Sequence, residues 1–492
     1  LVFSSAAFLF AFLPLTLAGY YLLPRRCRNV FLMCASLLFY AWGEPKFVLI
    51  MILSIGMNYV FGLLVVRRET PGWQKRILTL MVIANLSLLF VFKYLNFTIE
   101  NLNRLCHGAI PQTHITLPIG ISFFTFQAMS YVFDVALGRG RVQKNPLNVA
   151  LYIALFPQLI AGPIVRYETV AEEIDTRTES LTEFVKGIRR FTVGLAKKMI
   201  LSNSIALLAD QAFSYGDISG LSAAMAWLGA LAYAFQIYFD FGGYSDMAIG
   251  LGLMFGFHFD ENFNYPYISR TVSEFWQRWH ISLSSWFRDY LFYPVSRKAA
   301  PLGKKVKQRW GKTAGRLTPS VIALAVVWLS TGIWHGASWN YIFWGIYYGV
   351  LLIGALVFQP TSKKWVKRLN IRVNSPWFIG FQILRTMVLV LLGYVLFRSG
   401  SLRYALGYFR AMFGLAGNAA VDAAAWDALK NHASVLLLCA LGSTPFIGYL
   451  QRKLGRLGSS ELVKNAACLL LLILSAAYIV SSSYNPFIYF AF

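Results

Sequence analysis

Pro-Ser-Val-Ile-Ala-Leu-Ala-Val-Val-Trp-Leu-Ser-Thr-Gly-Ile-Trp-His (319–335) decides the fold class. Its apolar run 319–334 carries no charge, follows the strongly basic stretch Arg297–Arg316, and ends on a histidine. An uncharged stretch near the roughly 20 residues that cross a bilayer reads as a membrane helix. The cations beside it mark the cytoplasmic flank. Eleven further apolar runs lie near 5–23, 29–43, 47–66, 77–97, 118–137, 149–165, 222–257, 339–358, 377–397, 434–450 and 466–482. Only 13% of the 492 residues are charged and 57% are hydrophobic. Mean hydropathy is +0.55, whereas a soluble domain usually carries roughly 25% charge. The sequence predicts an all-α, polytopic membrane protein of roughly 10–12 transmembrane helices with re-entrant or interfacial helices added.

The net charge of +24 invites a nucleic-acid reading. Its distribution argues against one. The cations gather between apolar runs, at Arg25, Arg26 and Arg28, at Arg67, Arg68, Lys75 and Arg76, through 297–316 and 363–372, and at Arg452, Lys453 and Arg456. That is the pattern of cytoplasmic loops, which also suit anionic lipid headgroups. No nucleic-acid-binding module accompanies the charge. Counting from these loops predicts both termini outside the cytoplasm. The run 5–23 reads as the first membrane helix and not a cleaved signal, since no basic region precedes it. The five cysteines stand apart without CxxC spacing, so neither a disulfide framework nor a thiolate metal site is expected.

Pro157 and Pro163 in the run 149–165, and three early glycines in 241–257, predict broken or re-entrant segments there. The stretch 167–200, polar and then amphipathic, is expected along the membrane surface.

Two histidines stand out chemically. His280 lies in Ser-Glu-Phe-Trp-Gln-Arg-Trp-His and His335 in Gly-Ile-Trp-His-Gly-Ala-Ser-Trp. Histidine takes and returns protons near neutral pH, and an ionisable group among apolar segments is costly enough to mark a functional-site hypothesis. The plain alternative is an imidazole bonded to a backbone carbonyl in a packed interior. On one helix, Glu274, Arg278 and Ser282 would share a face, with Trp276, Trp279 and His280 on another. Trp334 and Trp339 are expected to wall a cavity at His335, and Gly332 and Gly336 to permit close backbone approach. No Gly-x-Ser-x-Gly elbow or His-Glu-x-x-His motif is present, which disfavours a serine hydrolase and a metal site.

The stretches Leu-Pro-Ile-Gly-Ile-Ser-Phe-Phe-Thr-Phe-Gln (117–127), Phe-Pro-Gln-Leu-Ile-Ala-Gly-Pro-Ile (156–164), Asp-Phe-Gly-Gly-Tyr-Ser-Asp-Met-Ala (240–248), Phe-Trp-Gln-Arg-Trp-His-Ile-Ser-Leu (275–283) and Trp-His-Gly-Ala (334–337) resemble the membrane-bound O-acyltransferase (MBOAT) family. Within it the chain is most similar to the bacterial AlgI-like branch of alginate O-acetylation proteins, and Val-Phe-Ser-Ser (2–5) and Phe-Tyr-Ala-Trp (39–42) share the likeness. The resemblance runs from the N-terminus to roughly residue 360, and beyond that it rests on hydropathy more than on motifs; one membrane-embedded domain over 1–492 is expected, motif-rich at about 117–358 with accessory helices in 377–492. It also implies a ring of helices around a central funnel and tunnel. The hallmark histidine matches His335. The second polar active-site position, often asparagine in eukaryotic members and histidine in this branch, matches His280.

The implied activity is acyl transfer from a thioester to a hydroxyl, which needs a base and an oxyanion donor. His335 is the expected base and His280 the expected orienting or oxyanion group, with Asp246, Asn264, Arg278, Trp276, Trp279 and Trp334 around substrate or histidines. No permanently bound cofactor or metal is expected. Acetyl-CoA or another acyl thioester is the expected donor, met by Lys304, Lys305 and Lys307 on the cytoplasmic side. The expected partners are an extracytoplasmic polysaccharide or an SGNH-type acetyltransferase, and the expected location is the bacterial inner membrane. D-alanyl transfer to teichoic acid is a related alternative, and a transporter with a histidine proton relay is one from another class.

Overall fold

The computed structural model describes residues 2–68, 70–455, 460–481 and 484–488. Arg456, counted above in the last basic loop, lies outside them. The elements are helical throughout the described residues, with one isolated bridge between Phe263 and Trp279. Among the described residues, seven helices are long and apolar enough to cross a membrane, and Ala423–Gly442 with Phe446–Lys453, bent by 75°, makes an eighth if counted as one span.

Other apolar runs form helices that are shorter or more polar than a full span. Phe8–Leu22 is short, Ile121–Ala136 has 16 residues, and Arg25–Gly43 begins with three arginines. The run 149–165 is divided, as its prolines predict, into Pro146–Ala154 and Phe156–Leu159. The chain falls into two compact units, one of 1–200, 240–261 and 464–491, the other mainly of 201–239 and 262–463.

Two sequence expectations about helices need correction. The helix Leu181–Ala196 continues through 197–202 into Asn203–Phe213, so that 181–213 is a candidate span and not a surface stretch. The glycines of 241–257 do not break the chain, because Ala223–Met254 is one helix of 32 residues. They let two backbones touch. A Cβ on Gly250 would lie 2.6 Å from the Gly187 carbonyl oxygen, and one on Gly194 would lie 2.5 Å from that of Gly243.

Charges then meet along the seam. Asp246 takes Arg190 and Lys197, each at 2.6 Å, and Asp240 takes Lys198 at 2.7 Å with both side chains buried. A buried charge needs a partner of this kind. Outside the spans, Glu179 accepts from Tyr20 at 2.6 Å and from Arg28 at 2.9 Å. Burial pushes its carboxyl upward, but these hydrogen bonds and the arginine outweigh it and hold the group below its usual range.

In the second unit the basic stretch before residue 319 is not a loop. Tyr293–His335 is helical apart from a turn at Gly311, whose φ of +88° is left-handed. A Cβ on Gly303 would lie 2.7 Å from the Gly315 carbonyl oxygen, so 293–310 folds back on the chain after 311 as a helical hairpin. Lys304, Lys305 and Lys307 are exposed on it, and Trp310 stands 72% exposed at its tip.

Candidate active site

His335 is the last residue of its helix, because Gly336 turns extended and Trp339 starts the next helix, Trp339–Arg368. The two helices approach closely here. A Cβ on Gly332 would sit 2.5 Å from the Tyr341 carbonyl oxygen and 3.1 Å from the Gly345 Cα, as the close-approach reading of Gly332 requires. The tight return places Trp344 against His335, with ring centroids 4.8 Å apart and nearly perpendicular. Phe397 at 5.1 Å and Trp334 at 4.9 Å complete an aromatic box. The imidazole is 5% exposed. Trp334 walls this box, while Trp339 is 47% exposed and does not take the wall position expected of it.

His280 is held by its backbone as much as by its side chain. Thr271 caps the helix Val272–Arg278 by accepting from Glu274 N–H, and the helix ends where Trp279 turns extended and His280 left-handed, with φ 46° and ψ 55°. A non-glycine residue there is uncommon and marks strain that surrounding structure must fix. A strap does so: Asn264 N–H donates to the Arg278 carbonyl at 2.9 Å, and Ile281 N–H donates to the Asn262 carbonyl at 3.0 Å. The continuous helix face read for Glu274, Arg278 and Ser282 is therefore broken. Glu274 and Arg278 still pair at 2.8 Å, but Ser282 lies in the first turn of the next helix, Ile281–Phe287, and turns to Asn262.

Asn262 fixes the imidazole's proton. Its Oδ1 lies 3.1 Å from His280 Nδ1 and also accepts from the Ser282 N–H at 3.3 Å and the Ser282 hydroxyl at 2.9 Å. A backbone N–H only donates, so that atom is the amide oxygen, and Nδ1 must donate to it. In the neutral ring Nε2 then carries the lone pair. His280, 1% exposed, is built to accept a proton or a hydrogen bond there and not to donate one. This favours the orienting role over the oxyanion role in the expectation for this residue.

The remaining expected residues separate. Trp334 neighbours both histidines, its ring centroid 6.2 Å from that of His280. Trp276 stacks edge-on with Trp328 at 4.7 Å and Tyr348 at 4.9 Å, and lies 5.6 Å from Trp344. Trp279 is core, packed against Phe263, Phe275 and Tyr394. Asn264 and Arg278 act through the strap below His280. Asp246 belongs to the first unit, where it binds Arg190 and Lys197.

Sequence reasoning did not single out Asn262, Trp328, Trp344 or Phe397. Asn262 lies among polar residues, but residues 18 apart stand about 27 Å apart on a continuous helix, so sequence position gave no sign of this contact.

A cavity of about 1000 Å³ opens in the same unit between the helices that carry these rings. Its walls include Leu324, Val327, Leu352 and Phe287; Trp276, Trp328 and Thr331 also line it, as do the cations Arg288, Lys363 and Arg385. Lys304, Lys305 and Lys307 do not line it. Thr331 is four residues, one helical turn, before His335.

Comparison with known proteins identifies the family. The model of the membrane-bound O-acyltransferase family, MBOAT, matches residues 37–396. The chain is 41% identical to the probable alginate O-acetylase AlgI of Azotobacter vinelandii, over 84% of this chain and 78% of that one. It is 31% identical to the peptidoglycan O-acetyltransferase of Helicobacter pylori over 100% of this chain and 98% of the relative. A teichoic acid D-alanyltransferase of Bacillus subtilis is 30% identical over 57% of this chain and 68% of its own length. The chain belongs to the membrane-bound O-acyltransferase family, and it is a multi-pass membrane O-acyltransferase and not the transporter its histidines left open.

Proposed function

We propose that this enzyme takes an acetyl group from a cytoplasmic thioester, acetyl-CoA, and delivers it to hydroxyls of an extracytoplasmic polysaccharide, directly or through a secreted SGNH-type acetyltransferase. One observation carries the reading: one cavity has cations and apolar side chains in its lining, with Trp276, Trp328 and Thr331, and Thr331 stands one helical turn before His335. Phosphate-bearing donors favour such cations. Arg288, Lys363 and Arg385 are the better candidates for the donor's phosphates than Lys304, Lys305 and Lys307, whose charge serves the cytoplasmic placement of the hairpin.

His335 acts as the base that removes the acceptor's hydroxyl proton, and His280 accepts a hydrogen bond at Nε2 that orients that hydroxyl. An alginate-type or other cell-surface glycan is the acceptor class, supported by the alginate and peptidoglycan relatives. D-alanyl transfer to teichoic acid stands second, because that relative matches only 57% of the chain. The enzyme is placed in the bacterial inner membrane with both termini outside.

The test follows labelled acetyl from acetyl-CoA to polymer, in cells and with purified protein. His335→Ala should abolish transfer while expression, monodispersity and polymer export persist. Joint replacement of Arg288, Lys363 and Arg385 by Gln should raise the KM for acetyl-CoA about tenfold. Near-normal acetylation by His335→Ala would refute the catalytic assignment, and a D-alanyl donor used in preference to acetyl-CoA would refute the acetyl reading.

A further inference from the structure

Attack of a hydroxyl on a thioester develops negative charge on the carbonyl oxygen, and something must donate hydrogen bonds to it. The neutral tautomer fixed by Asn262 leaves His280 Nε2 without a proton to give. A base at His335 takes a proton before it can return one. The donors must come from elsewhere in the same box.

Two indoles supply them. Trp276 and Trp344 each have a buried Nε1–H with no hydrogen-bond partner among the described residues. An indole N–H is a donor and nothing else, and a buried donor left unsatisfied costs about 1–3 kcal/mol. Such groups are few in native proteins and ask for a reason. Their placement gives one. Trp344 stands against the His335 ring at 4.8 Å, Trp276 lies 5.6 Å from Trp344, and Trp276 also lines the cavity. The two rings therefore lead from the cavity wall to the candidate base.

We infer that Trp276 and Trp344 donate from Nε1 to the acyl carbonyl oxygen of the donor, and hold it more tightly as it becomes an oxyanion. This rests on acyl transfer at His335. In the step, the acceptor oxygen bonds to the thioester carbon as its proton passes to the imidazole. The carbonyl π electrons move to the oxygen held by the indoles. On collapse the carbonyl re-forms, the C–S bond breaks, and the departing sulfur takes the proton back as a thiol. Binding before the step depends little on these donors, so kcat should register their loss and KM should not.

Replacing each tryptophan with Phe removes the N–H but also changes size. The cleaner variant carries benzothienylalanine, which keeps the bicyclic shape and puts sulfur where the N–H was. With acetyl-CoA and purified protein, the benzothienyl variant at either position should lose about 10²–10³-fold in kcat with KM within twofold, the range for deletion of one oxyanion donor. Thermal stability in detergent should match the parent. An indole N–H satisfied by a structural water predicts the reverse, a lower melting temperature with unchanged kcat, and that result would overturn the inference. If His335→Ala itself retains transfer, the base assignment fails first. If His335→Ala is inactive while both benzothienyl variants turn over normally, only the donor role of the indoles is lost.

Discussion

At the residue scale the decisive bond is the one between Asn262 and His280. The sequence exposed both candidate histidines, because an imidazole in an apolar chain is conspicuous. It hid the residue that sets one of their tautomers, since two positions about 27 Å apart on a continuous helix meet only because the chain turns back on itself as a strap. Asn262→Ala leaves Nδ1–H without its acceptor and frees the ring to turn. One lost hydrogen bond of about 1.4 kcal/mol corresponds to a tenfold fall in kcat. Asn262→Asp keeps an acceptor and adds a negative charge beside the ring, which favours imidazolium and raises the histidine's pKa. Since the neutral ring is the working form, activity of the Asp variant should fail at a higher pH than the parent's as pH drops. A pH–rate profile from pH 5 to 9 checks the direction, and an unmoved acid limb would remove His280 from the chemistry.

At the scale of elements, hydropathy located the apolar runs but misjudged what their glycines and charges do. Gly243 and Gly250 read as breaks because glycine weakens an isolated helix. In the folded chain they are contact points, seven residues apart, matched by Gly187 and Gly194. The polarity of 167–200 read as a surface face because its partners Asp240, Asp246 and Glu261 lie far along the sequence. Overpacking a well-packed contact costs about 1–3 kcal/mol and sometimes more. Gly250→Leu forces a side chain into the Gly187 backbone and should reach or exceed that range, whereas Gly380→Leu, with nothing within 4 Å of its Cβ position, should be close to neutral. Melting curves followed by size-exclusion chromatography compare the two. Equal melting temperatures would show that the seam yields.

For the whole molecule, composition alone announced a polytopic membrane protein, and family membership and long apolar helices agree. The number of spans was less legible, because Arg25–Gly43, Ile121–Ala136 and the divided run 149–165 are helical without being long, uncharged and continuous together. Orientation rests on the basic segments. A cysteine placed at Gln308 on the exposed hairpin, in a cysteine-free background, should react with an impermeant maleimide only after the inner membrane is opened. One placed at Asn418, in the segment before the helix Ala423–Gly442, should react in intact spheroplasts, because the basic turns on either side of that region place it outside. Labelling of the hairpin in intact spheroplasts would invert the topology and the direction of acyl flow.

The left-handed backbone at His280 also bears on which lineages of this family are mutually reachable. Only a short set of side chains tolerates that conformation readily, with asparagine, aspartate and histidine enriched several-fold. The resemblance that marked His280 places histidine at this position in one branch and asparagine in others, and both belong to that set. Exchange between them asks nothing new of the main chain. His280→Asn should therefore leave the main chain as it is and change only the chemistry the side chain offers.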